Sequence, residues 1–113
     1  MKIYKPFSIV VVPFPFSDID EVKRRPALVL SQESFQKNTE HVTLMMITSA
    51  QHSKWHDDYE IKDLHSTGLR AASIIRQKIF TLDMRVILSK TGMLGAKDKE
   101  ALIKITQKHL ALA

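Results

Sequence analysis

Between Val10 and Ser31 the chain reads VVVPFPFSDIDEVKRRPALVLS, and this stretch limits the folds open to it more than any other. Two apolar runs, Ile9–Val12 and Ala27–Ser31, flank a polar loop punctuated by prolines. β-Branched runs of this length bounded by turn residues read as buried strands. Pro13 and Pro15 carry no backbone N–H, so the first strand is expected to stop near Val12 or to continue only as an edge. A residue that precedes proline favours extended geometry. Arg25, just before Pro26, is therefore expected to be held extended at the mouth of the second strand. An arginine fixed there suits a phosphate; the alternative is an ordinary solvated surface cation.

The rest of the chain continues in short pieces. Gln32–Glu40 is polar and turn-like, with Phe35 as its plug. His41–Thr48 reads as a third strand, apolar enough in its middle for burial on both faces. Ser49–Asp57 is a polar loop that holds the one tryptophan, Trp55. Asp58–Lys62 alternates as a short exposed strand, Asp63–Arg70 is a turn region around Gly68, and Ala72–Phe80 is a further strand. Thr81–Leu88 is expected to form one or two helical turns capped by Thr81 or Asp83, and Ser89–Leu94 a last short strand. Ala96–Leu110 has a helical period, with Leu102, Ile105 and His109 on one stripe and Ile103 and Leu110 beside it. The three glycines should mark turns or chain crossings.

At 113 residues this reads as a single domain, 1–113. The absence of cysteine removes disulfide and thiolate chemistry. The apolar runs are too short to span a bilayer, and no secretory signal is evident, so a cytoplasmic protein is expected. A net charge of +5, spread along the chain, favours a polyanionic partner held by a folded surface. No glycine-rich phosphate loop or dinucleotide fingerprint is present, which argues against a nucleotide cofactor; none is expected.

The motif VVVPFPF…KRRPALVLS resembles the MazF/PemK family of toxin endoribonucleases. MMITSA at 45–50, GLRAASII at 68–75, FTLD at 80–83 and a C-terminal helix follow in the family's order. Many short strands with brief connections and one late helix argue a small bent sheet of about five to seven strands. The resemblance implies an SH3-like barrel with a C-terminal α-helix and one short helix, and a homodimer. It also implies metal-independent cleavage of single-stranded RNA as the toxin of a type II toxin–antitoxin pair, with an antitoxin protein as partner. Two rivals stay open: a barrel toxin of the gyrase-inhibitor type that acts by protein contact, and a degenerate homologue that binds RNA without cutting it.

RNA cleavage without metal uses the substrate's own 2′-hydroxyl. The protein must remove its proton, stabilise the charge on pentacoordinate phosphorus and protonate the departing 5′-oxygen. By resemblance Arg25 and Thr48 are the catalytic candidates; a strand-capping hydroxyl is the plain alternative for Thr48. Arg24, Ser49, Arg76 and Gln77 are candidate RNA contacts. Lys54 and Trp55 join them because an indole among cations suits base stacking, the alternative being an indole folded onto the core. Asp20 is a possible general base. The loop DIDEVKRRP lacks the glycine the family commonly carries, and Gln77 stands where some members have Asp or Glu. His52 and His56 have a zinc-like spacing only on a helix, and QHSKWHDD reads as a loop, so no metal site is expected.

Overall fold

A computed structural model of the chain describes residues 2–14, 23–51 and 54–112. Six strands form one antiparallel sheet: β1 (Ser8–Phe14), β2 (Lys23–Val29), β3 (His41–Ser49), β4 (Tyr59–Glu60), β5 (Ser73–Asp83) and β6 (Ser89–Met93). Their spatial order is β4-β5-β3-β2-β1-β6. The helices are α1 (Glu33–Thr39), α2 (Leu64–Thr67) and α3 (Ala96–His109). The sheet curls into a half-barrel, so the expected mainly β class holds.

Both prolines that threaten the first two strands sit where a ladder is one-sided. β1 continues past Val12, pairing Pro13 with Arg24 and Phe14 with Lys23. Its other neighbour, β6, pairs only with Ser8–Val11, so Pro13 lies on a stretch that is an edge on that side. β2 begins at Lys23, earlier than the apolar run suggests, and Pro26 lies opposite Val11. The β2–β3 ladder covers Ala27–Val29, so Pro26 again lies outside two-sided pairing. A missing N–H costs little at such positions.

The sheet buries both faces. On one, Val10, Val12, Ala27, Val29, Val42 and Leu44 pack with Tyr4 and Met84. On the other, Ile9, Leu28, Met45, Ile47 and Ile75 pack with Ile61, Leu94 and Leu102 of α3. Residues one apart in a strand fall in different clusters, which is the period of two of a pleated strand.

Four local expectations need correction. Gln32–Glu40 is not a turn: it carries α1, and Phe35 is 39% exposed while Gln36 is fully buried. Gln36 bonds Tyr4 through both its amide atoms, receiving from Tyr4 N at 2.9 Å and donating to Tyr4 O at 2.7 Å. A tertiary contact thus sets that helix. The Asp63–Arg70 turn holds α2, capped by the Asp63 side chain and ended by Gly68 at φ 72°. Thr81–Asp83 stays in β5, and only Met84–Val86 coils, as a 3₁₀ turn capped by Asp83. His109 is exposed; the buried stripe of α3 instead runs through Asp98 and Leu102.

Candidate functional site

β2, β3 and β5 lie side by side, and their registers decide which polar residues meet. Ala27 pairs with Met46, Leu28 with Met45 and Val29 with Leu44. The ladder ends at Ala27 and Met46, and Arg25 on β2 and Thr48 on β3 each lie two residues past that end. Arg25 follows Ala27 and Val29 in the alternation of β2, and Thr48 follows Met46, which packs on the same cluster as they do. Both candidates therefore fall on one face of neighbouring strands, just beyond the ladder that joins them. Thr48 is 4% exposed and Arg25 is half-buried. Arg24 is exposed, and Ser49 is half-buried at the end of β3.

Thr48 pairs on its other side with Ile74 of β5. Two residues beyond Ile74, on the same face, stands Arg76. It is 7% exposed and bonds Asp58 twice, Nε to Oδ1 at 3.2 Å and a terminal nitrogen to Oδ2 at 2.9 Å. The β4–β5 register, Tyr59 to Ile75 and Glu60 to Ile74, brings Asp58 level with Arg76 when carried back one residue. A fork-on-carboxylate pair of this kind fixes the guanidinium plane. The Arg76 guanidinium carbon lies over the Trp55 ring, 4.9 Å from its centroid. The Trp55 backbone N–H donates to Asp58 Oδ2 at 2.8 Å. Trp55 remains 48% exposed, so the indole is not folded into the core. Lys54 beside it is exposed.

Gln77 turns the other way. It lies on the face covered by α3, where its Nε2 donates to Thr106 Oγ1 at 3.2 Å. Its buried Oε1 has no hydrogen-bond partner among the described residues. The sheet thus gathers Arg25, Thr48, Arg76 and, through Arg76, Trp55, and separates Gln77 from them. Asp58 was not legible as part of this group, because its link to Arg76 exists only through the register of β4 on β5.

Asp20 and His52 lie outside the described residues. His56 contacts Asp57 at 3.5 Å, with a side chain 96% exposed. Among the described residues no group of three or more His, Cys, Asp or Glu is placed to hold a metal ion. No helix is long and apolar enough to cross a membrane.

A family model of the PemK-like, MazF-like toxins of type II toxin–antitoxin systems matches residues 5–110. The chain belongs to that family. No match is found among curated proteins. Solved structures share its fold at low identity. A chain of the MazE–MazF complex of Deinococcus radiodurans superposes with a TM-score of 0.75 at 16% identity, covering 100% of both chains. A chain from an endoribonuclease in complex with its cognate antitoxin, from a mycobacterial species, gives 0.75 at 13% identity, covering 100% of this chain and 98% of the other. The Mycobacterium tuberculosis toxin MazF-mt6 gives 0.70 at 20% identity, covering 89% and 93%. This PemK/MazF-family chain therefore keeps the architecture while four-fifths or more of the aligned residues differ, and its site has to be argued from its own residues.

Proposed function

We propose that this toxin-family chain is a metal-independent, sequence-selective endoribonuclease that cuts single-stranded RNA, mRNA in the cytoplasm. The observation that carries the reading is that Arg25 and Thr48 fall on one face of adjacent strands, each just past the end of the ladder between them. Family membership and the net charge of +5 support it.

The chemistry follows from those groups. The ribose 2′-oxygen attacks the adjacent phosphorus as its proton leaves to a base. The Arg25 guanidinium offers planar paired donors to the phosphoryl oxygens, which gain charge in the pentacoordinate transition state. The Thr48 hydroxyl donates to one of the same oxygens and fixes the phosphate's orientation. The bond from phosphorus to the 5′-oxygen breaks, that oxygen takes a proton, and the products are a 2′,3′-cyclic phosphate and a 5′-hydroxyl. Asp20, five residues before Arg25 in the loop sequence, is the candidate base. Arg24, Ser49 and Lys54 hold neighbouring phosphates and sugars. A homodimer and an antitoxin with an acidic segment over the basic surface complete the assembly.

The test is cleavage of a mixed-sequence RNA by purified protein in EDTA. Wild type cuts, leaving cyclic-phosphate ends, and Arg25→Ala slows cleavage by about 100-fold or more with its thermal unfolding unchanged. Full activity in Arg25→Ala overturns the mechanism. Growth arrest with cellular RNA intact identifies a toxin that works by protein contact instead.

A further inference from the structure

We infer that Trp55 is a prearranged stacking platform for an unpaired RNA base beside the scissile linkage, and that Asp58 is the positioning residue that holds it there; the inference rests on the RNA-cleaving reading above. Trp55 is tied at two points. Its ring lies on the Arg76 guanidinium at 4.9 Å, and its backbone N–H is bonded to Asp58 Oδ2 at 2.8 Å. Asp58 holds Arg76 by the edge of its guanidinium through two bonds, and both side chains of the pair are buried, 8% and 6% exposed. One carboxylate therefore fixes both the backbone of the indole and the surface under its ring.

With one ring face taken by Arg76, the indole still leaves 48% of its surface exposed. The guanidinium under the ring belongs to Arg76, two residues along β5 from Ile74, the partner of Thr48. From β2 to β5 is two strand intervals, on the order of 10 Å, within reach of a short run of nucleotides. Lys54, the residue before Trp55, is exposed. An aromatic face backed by a guanidinium, with a lysine adjacent in the chain, is suited to a base with its phosphate, and stacking tolerates any base. Trp55 thereby contributes affinity and placement rather than sequence choice.

Because Trp55 is the one tryptophan in the sequence, its emission reports on the platform alone. The probe is a short mixed-sequence 2′-O-methyl RNA, which has no nucleophile and cannot be cut. Saturable quenching of Trp55 emission is expected in wild type and, with weakened affinity, in Arg25→Ala. Trp55→Ala should raise KM for cleavable RNA about tenfold, within the range for loss of one stacked base, with kcat within a factor of two. Trp55→Phe should recover most of that loss. Asp58→Asn should raise KM in the same way and shift Trp55 emission to the red. Unchanged emission with bound probe, or an unchanged KM in Trp55→Ala, overturns the inference whatever Asp58→Asn does to folding. Quenching in a protein that cuts no RNA keeps the platform and removes the nuclease; cutting without quenching does the reverse.

Discussion

At Asp98 one carboxylate ties α3 to the segment 59–63 through three hydrogen bonds. The Tyr59 hydroxyl and the Lys62 backbone N–H donate to Oδ1, and the Asp63 N–H donates to Oδ2. The residue is 1% exposed, in the first turn of α3. Burial pushes its carboxyl up, but these hydrogen bonds and the Lys62 charge outweigh that and hold it below the ordinary range. Burial and the bond to Asp98 push Tyr59 up to about 12. The signs then follow. The Asp98 contribution is complete above its unfolded value of roughly 4 and is lost as pH falls through the lower folded value. The Tyr59 contribution is complete below its unfolded value near 10 and is lost as pH rises toward about 12. Tyr59→Phe should cost about 1.5–3 kcal/mol at neutral pH, a hydrogen bond to a charged group. In thermal melts across pH its deficit should shrink below pH 4, where the acid form of Asp98 needs Tyr59 less. A deficit constant from neutral pH to full protonation of Asp98 contradicts this account.

Among the elements, α2 and β6 approach each other through backbone. A Cβ on Gly92 would lie 2.4 Å from Ser66 O and 2.8 Å from Thr67 O, and one on Gly68 would lie 2.3 Å from Thr91 O. Thr91 Oγ1 also donates to Thr67 O at 2.8 Å. Backbone cannot move aside as a side-chain end can, so Gly92→Ala should destabilise by about 1–3 kcal/mol, read as a lower urea midpoint. An unchanged midpoint would mean that the two backbones can part at this crossing. The scarce glycines were legible as crossings or turns, because few other residues serve there. α1 was not legible: QESFQKNTE has no side-chain cap on its first turn, and what orders it is Gln36 bonded to Tyr4, 32 residues away. Likewise β2 begins ahead of its apolar run because Lys23, Arg24 and Arg25 gain partners in β1, which hydrophobic pattern does not record.

For the molecule as a whole, charge and sheet act together. The cations Lys23, Arg24 and Arg25 follow one another into β2, against a net charge of +5. RNA affinity should fall with salt as counterions are released, and Arg24→Ala should reduce the log–log slope by about 0.7, one phosphate on a single strand. The loss should be similar for RNAs of different sequence, measured by anisotropy at several salt concentrations. A slope equal to wild type would remove Arg24 from the phosphate contacts.

The sequence by itself determined the mainly β class, the positions of most strands, the late helix and the family, because apolar alternation, proline and glycine placement and an ordered set of short motifs are local properties. It also put Arg25 and Thr48 at strand positions. Only the tertiary structure decided that these two fall on one face of adjacent strands, that Gln77 faces α3, and that Asp58 holds Arg76 under Trp55. The reason is register: a shift of one residue between strands exchanges the faces of every side chain, and register is set by pairing among segments far apart in the chain.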